Sequence, residues 1–383
     1  MKKIICFVLS IVFLMGGINV FADGLPEVQS ERVVLMDQDT GTMLFSKNAD
    51  EKCEIASVTK VMTTLILMDE IAAGRIKYDD LITTGENPVQ MGGSQIYLQV
   101  GEQMTVSDML KGLLLASGND AAVAIAEHIS GSVPEFAKRM NSKAKELGMT
   151  GTNFVNPNGL PDENHYSTAK DVAIMSRELM SKYPEIQKYT TIWMDYLRNG
   201  EFMLANTNRL IAHYHHEGRK ITGLKTGYTD NALHCLVATA EDSKMKLVAV
   251  VLGAPSTDIR FFEAETLLNY GFDNFTYKET INKGDVIKNI PVIKGSKETI
   301  NCIAKSECAV FDNKAINGEF TKEINVEPEI KAPFEAGTKV GTLVIKKGEV
   351  VLNQVDLVTE AKVKKRNYFH IIKLYFQKWM GVK

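Results

Sequence analysis

Ser57, Lys60, Ser117, Asn119 and Lys225 are the residues whose types and spacing could carry nucleophilic chemistry in this chain. They fall in three strings, Ser57-Val58-Thr59-Lys60, Ser117-Gly118-Asn119 and Lys225-Thr226-Gly227, in that order. A serine hydroxyl attacks a carbonyl only when a base takes its proton, and a lysine three positions along a helix faces the same side as the serine. Lys60 is therefore the candidate base for Ser57. A lysine acts as a base only after losing its own proton, which burial and a nearby second cation promote. Lys225 is the candidate second cation. Backbone N–H groups at the start of a helix would face the negative charge that develops on the attacked carbonyl.

The strings need elements that bring them together. S-x-x-K recurs at Ser142, Ser167 and Ser243, so spacing alone does not select a nucleophile. After Ser57, the apolar residues Val61, Met62, Leu65, Ile66 and Met68 keep helical spacing until Gly74, so Ser57 opens a helix. Ser117 and Asn119 interrupt two apolar helical stretches, a place where polar groups need partners; a capping turn and a catalytic role are both open there. Lys225-Thr226-Gly227 precedes two strand-like runs at 236–240 and 247–252. With Gly223 and Gly227 on either side of Lys225, it fits an edge strand passing a ligand, where Lys225 offers charge to a carboxylate. A hairpin over 33–36 and 42–45 comes first, helical pattern fills the middle to about Lys188, and a further helix covers 258–270. Beyond Gly271, short alternating segments such as 338–345 and 350–357 predict a small β-rich domain.

The 383 residues are 45% apolar and 24% charged, with a formal net charge of -3. This describes a globular protein of more than one domain, and the body has no basic groove with interleaved aromatics that would read as a nucleic-acid surface. Lys2 and Lys3, an apolar core over 4–15 and Val20-Phe21-Ala22 form a signal-peptide pattern, with the mature chain expected to begin near Asp23. At the other end, residues 362–383 carry seven cations and no acid. Tyr368, Ile371, Ile372, Tyr375, Phe376 and Trp379 line one helical face there, opposite Arg366, His370 and Lys373. That pattern predicts an amphipathic helix lying on an anionic membrane surface as a peripheral anchor. Cys53, Cys235, Cys302 and Cys308 can pair in three ways; a local Cys302–Cys308 bridge and free thiols at Cys53 and Cys235 are both open.

The three strings resemble the motifs of active-site serine penicillin-recognising enzymes, the penicillin-binding proteins and serine β-lactamases. More narrowly, Ser117 to Ala122, Leu147-Gly148-Met149, Asn156 to Leu160, Ser167 to Asp171, Asn206 to Leu210 and Lys225 to Thr229 resemble the low-molecular-mass serine D-alanyl-D-alanine carboxypeptidases. The resemblance implies an α/β (α+β) fold of the β-lactamase/transpeptidase type, an antiparallel sheet flanked by helices. The organisation expected is a signal peptide over 1–22, a catalytic domain over 23–272, a β-rich domain over 273–361 and the tail helix over 362–383. It also implies a cell-wall enzyme acting on peptidoglycan stem peptides ending in D-Ala-D-Ala and acylated by β-lactam antibiotics, with no metal or organic cofactor.

In that scheme Ser57 attacks the carbonyl of the penultimate D-alanine with Lys60 as base, and Ser117 passes a proton to the leaving amine. Lys225 and Thr226 hold the terminal carboxylate, Asn119 orients the substrate amide, Gly227 permits close approach, and the N–H groups of Ser57 and Tyr228 form the oxyanion hole. One departure stands out. Ala232-Leu233 replaces the family's usual Ala-Gly, which is expected to perturb the strand edge after the third motif.

A class A β-lactamase would add a deacylating glutamate in E-x-x-x-N, which is missing between Asn119 and Lys225. Endopeptidase or transpeptidase action on cross-links uses the same machinery and stays open, as does a catalytically silent wall-binding protein. His213, His215 and His216 lack the H-E-x-x-H spacing of a zinc peptidase and read as surface residues.

Overall fold

The computed structural model describes residues 25–366. The expected signal peptide over 1–22 lies outside the described residues, as does the expected tail helix from 367 onward. The catalytic half is built on a five-stranded antiparallel sheet in the order Met43–Lys47, Arg32–Asp37, Lys246–Ala254, Leu233–Glu241, Lys220–Thr229. The Lys225 strand is thus an edge strand, open to a ligand along one side.

Side chains on a strand alternate between faces, and both faces of this sheet are covered. Val34 and Met36 pack with Val237, Val248 and Val250 against the helical side that includes Lys60–Ala72, Asn119–Ser130 and Ala169–Lys182. Their neighbours Val33 and Leu35 pack with Leu236, Ala249 and Val251 against the other side, where helix Thr257–Asn274 contributes Phe261, Ala264, Leu267 and Leu268. Burial on both faces explains why the central strands read as unbroken apolar runs rather than alternating ones.

The expected helix opening at Ser57 is present with one difference. Ser57 lies in a 3-10 turn, Ala56–Thr59, and the α-helix proper begins at Lys60. The tighter turn forms where the chain passes from an extended segment into the helix and brings Ser57 beside the Lys225 strand. The second string sits in a break between helices Val106–Leu114 and Asn119–Ser130.

Around Leu233 the strand is irregular on one side. Pairing with the Lys225 strand runs unbroken from Thr229↔Leu233 to Gly223↔Thr239, while pairing with Lys246–Ala254 shifts register between His234 and Leu236. Leu233 itself is held at φ 54°.

Helix Thr257–Asn274 runs directly into strand Phe275–Ile281, the first of the β-rich domain. A six-stranded sheet follows in the order Phe320–Val326, Lys339–Lys347, Val350–Thr359, Thr299–Ala304, Val286–Ile293, Ile330–Lys331. The pairing is antiparallel except for the short Ile330–Lys331 strand, which runs parallel to Val286–Ile293. Residues 362–366, which the sequence assigns to the tail helix, are extended here. Val363 is buried in the core of this domain and pairs with Phe334, and Lys365 pairs with Gly295. An apolar residue two positions past Ala361 fits the end of the sheet domain, so this domain reaches past 361.

All four described cysteines are free thiols, so no Cys302–Cys308 bridge forms. Among the described residues no helix is long and apolar enough to cross a membrane.

Candidate active site

The three strings converge on one cavity of about 500 Å³, lined among others by Ser57, Ser117, Asn119, Thr226, Gly227 and Tyr228. Lys60 and Lys225 lie beneath its wall, at 0% and 1% exposure. Two glycines let its walls come this close. A Cβ on Gly227 would stand 2.9 Å from the Ile55 carbonyl oxygen and 3.1 Å from the Ser57 nitrogen. At Gly159, which has φ +83°, a Cβ would stand 1.9 Å from the Ala56 carbonyl oxygen. Ala56 and Ser117 flank the site at φ 45° and 61°. Such non-glycine residues each hold on the order of 1–3 kcal/mol of strain and persist where surrounding structure fixes them.

Lys60 is the hub. Its Nζ is 2.9 Å from Ser57 Oγ, 2.6 Å from Asn119 Oδ1 and 2.7 Å from the carbonyl oxygen of Asn158. The last two are fixed acceptors, since Asn119 Nδ2 is engaged with the Gly92 carbonyl at 2.7 Å. A neutral amine has two N–H donors and one lone pair. With both donors spent on Asn119 and Asn158, the lone pair is left facing the serine hydroxyl. Burial, and secondarily the charge of Lys225, holds Lys60 well below the ordinary lysine range, while Asp120 works in the opposite direction.

Asp120 itself is fully buried and accepts from the backbone N–H groups of Ile96 and Leu98. It thereby ties the 92–98 lip of the cavity to the start of the Asn119 helix.

Lys225 donates to the Thr226 carbonyl at 3.0 Å. Burial, and then the nearby Arg260, brings its ammonium down to about 7. Thr226 Oγ1 donates to Thr207 Oγ1 at 2.7 Å, so two hydroxyls stand together on this wall. Tyr228, the residue after the third string, is exposed at the cavity mouth and its ring lies on His234 at 4.6 Å.

Arg260 was not visible in the strings. It lines the cavity from helix Thr257–Asn274, is 8% exposed, and donates to the carbonyl of Gly227 at 3.0 Å. Among the described residues it makes no ion pair and its Nε has no hydrogen-bond partner. Burial draws its guanidinium down to about 10. The available signal is an arginine sharing the buried face of Ala264, Leu267 and Leu268 at helical spacing. A buried cation without an acid is costly unless an anion visits it. The Asn158 carbonyl was likewise hidden, because a backbone group leaves no trace in residue type.

His213 meets Trp193 edge-on, and His216 lies tilted against Tyr214. Among the described residues no group of three metal-ligating side chains converges.

Comparison with known proteins bears on the whole chain. Residues 19–256 match the D-alanyl-D-alanine carboxypeptidase family, peptidase S11, and residues 275–365 match the C-terminal domain of penicillin-binding protein 5. The chain is 40% identical to the D-alanyl-D-alanine carboxypeptidase DacF of Bacillus subtilis over 359 residues, 93% of this chain and 91% of the relative. Penicillin-binding protein 5 of Haemophilus influenzae superimposes with a TM-score of 0.74 at 31% identity, covering 89% of this chain and 99% of that one. Penicillin-binding protein D2 of Listeria monocytogenes, solved in its ampicillin-bound form, covers 64% of this chain and 100% of its own at 29% identity and a TM-score of 0.58. With both halves matched in order, the chain belongs to the peptidase S11 family of serine D-alanyl-D-alanine carboxypeptidases.

Proposed function

We propose that Ser57 is the nucleophile of this carboxypeptidase and that Lys60, as the neutral amine, is its base. The observation that carries this reading is the pair of fixed acceptors, Asn119 Oδ1 and the Asn158 carbonyl, which leave the Lys60 lone pair toward Ser57 Oγ. Ser57 Oγ attacks the carbonyl of the penultimate D-alanine of a peptidoglycan stem pentapeptide while its proton passes to Lys60. The N–H groups of Ser57 and Tyr228 receive the oxyanion, at the position where Gly227 lets the strand approach the turn. The amide C–N bond then breaks, Ser117 delivers a proton to the departing D-alanine nitrogen and takes in its place the one held by Lys60, and an ester remains on Ser57 with Lys60 neutral again. Water hydrolyses that ester and restores the hydroxyl.

Lys225, Thr226 and Arg260 hold the terminal carboxylate, and Asn119 Nδ2 orients the substrate amide. A β-lactam carries a carboxylate and a strained amide in a comparable arrangement, so penicillins acylate the same serine. We further propose that residues 1–22 direct export and that the basic aromatic tail holds the enzyme as a peripheral protein on the outer face of the cytoplasmic membrane, beside the cell wall.

Incubation with a stem pentapeptide tests reaction and nucleophile together. Free D-alanine is expected from the wild type and none from Ser57→Ala, whereas release that survives in Ser57→Ala would sink the assignment. A chain ending at Arg366 tests the tail. It keeps the β-rich domain whole and is expected to leave anionic vesicles that the full mature chain binds; undiminished binding would reject the anchor.

A further inference from the structure

His165 takes no part in the scheme above, yet it is buried at 3% exposure one shell behind Lys60. Its Nδ1 accepts the backbone N–H of Val155 at 3.1 Å, which leaves the proton on Nε2. Nε2–H therefore donates to Thr59 Oγ1 at 2.8 Å. Thr59 immediately precedes Lys60 in the turn that carries Ser57, and Val155 stands three residues before Asn158, whose carbonyl faces Lys60. One imidazole thus joins the two segments whose separation sets where the Lys60 amine points.

The rest of the loop is held without it at several points. Thr63 Oγ1 donates to the Pro157 carbonyl at 2.6 Å, and Asn141 brackets Phe154 through both its N–H and its carbonyl at 2.8 Å. Phe154 also packs its ring edge-on to His165 at 5.7 Å. Among the described residues His165 makes the hydrogen bond that ties the Thr59 side chain to the loop, and Gly159 packs closely against that side chain.

We propose that His165, as the neutral Nε2–H tautomer, is a positioning residue that fixes the Asn158 carbonyl relative to Lys60 and thereby sets the orientation of the base. The assignment rests on the reading of Lys60 as base and adds a requirement to it. Loss of the link lets the loop carbonyl withdraw, so that Lys60 picks up water, keeps its proton to higher pH and faces Ser57 less often. Lys225 and Asp120 act on Lys60 as before, and Asp162 is the acid that faces His165.

The test follows acylation of the full mature chain by a fluorescent penicillin as a function of pH, per folded molecule. His165→Ala and Thr59→Val, which break the link from opposite ends, are each expected to slow acylation by on the order of 10- to 100-fold. Both should move the acid limb of the rate profile to higher pH. His165→Asn places an amide oxygen near the Nδ1 position and regains only the Val155 contact, so its acylation should stay slow; a wild-type rate and limb in it would count against the Thr59 link. A purely structural role would lower the melting temperature without moving the limb. If His165→Ala does not fold, Thr59→Val, nearly isosteric, carries the decision. A wild-type rate and limb in Thr59→Val, with Lys60→Arg inactive, overturns the positioning role alone. Acylation retained by Lys60→Arg overturns the base reading instead, and the positioning role with it.

Discussion

Lys60 Nζ and Asn119 Oδ1 are 2.6 Å apart, both inside the protein, and among the described residues no carboxylate is hydrogen-bonded to the amine. A neutral acceptor at this position accommodates an uncharged lysine, where an acid would stabilise the ammonium. Asn119→Asp is therefore expected to raise the Lys60 pKa, since a carboxylate would stabilise the ammonium. The acid limb of the acylation profile should move to higher pH, and the rate at pH 7 should fall at least about 10-fold. Stopped-flow acylation across pH 5–10 reads this directly, and an unmoved limb contradicts an uncharged Lys60.

Replacing the base separates proton transfer from charge. Arginine keeps a cation but does not give up its proton in proteins. Lys60→Arg and Lys60→Ala are both expected to lose about 100- to 10,000-fold in acylation rate, the usual contribution of a general base. A charge-only role predicts that Lys60→Arg stays close to the wild type.

Among the described residues Arg260 has no acid partner in the cavity, which marks it for a visiting anion. Arg260→Gln is expected to lower kcat/KM on a peptide with a free terminal carboxylate by about 10- to 100-fold, the worth of one charge-assisted hydrogen bond. The same peptide ending in a carboxamide should be handled equally poorly by both enzymes. Equal losses on both substrates would show that Arg260 supports the Gly227 strand rather than the substrate.

Burial draws the His165 imidazole down to about 4. Between its ordinary pKa of about 6.5 and this value, the unfolded chain binds a proton that the folded chain refuses, so stability falls on acidification through that window. The contribution is fully present above pH 6.5 and about 3 kcal/mol of it is lost by pH 4. Urea melts at pH 7 and pH 4.5 should therefore differ less in His165→Asn than in the wild type. An identical pH dependence in the two proteins would mean that His165 does not carry it.

The residues proposed to do the chemistry were largely legible because their side-chain types mark them. Ser57, Lys60, Ser117, Asn119 and Thr226 are recognisable by type, and the apolar spacing after Ser57 showed which S-x-x-K opens a helix. The edge position of Lys225 followed from glycines and a neighbouring apolar hairpin. What stayed hidden was carried by the backbone or by distant packing. The Asn158 carbonyl has no side-chain signature, Arg260 reaches the cavity from a helix more than thirty residues past Lys225, and the unbridged state of Cys302 and Cys308 depends on how neighbouring strands pair. The extended path of Val363 was masked by the basic, aromatic pattern just beyond it.

Leu233 gives the most direct check on how sequence and backbone agree in this hairpin. It sits at φ 54° and is 36% exposed, so its side chain gains little packing in return for a left-handed backbone. That conformation costs a non-glycine residue about 1–2 kcal/mol, part of which a glycine would give back through the greater freedom of its unfolded chain. Leu233→Gly is expected to stabilise the protein by up to about 1 kcal/mol, since Thr229↔Leu233 pairing needs only the backbone. Acylation should stay at the wild-type rate, because Tyr228 keeps its place opposite His234 one register position further in. Chemical denaturation of the two proteins measures the difference, and a clear loss of stability would show that the leucine side chain holds the turn.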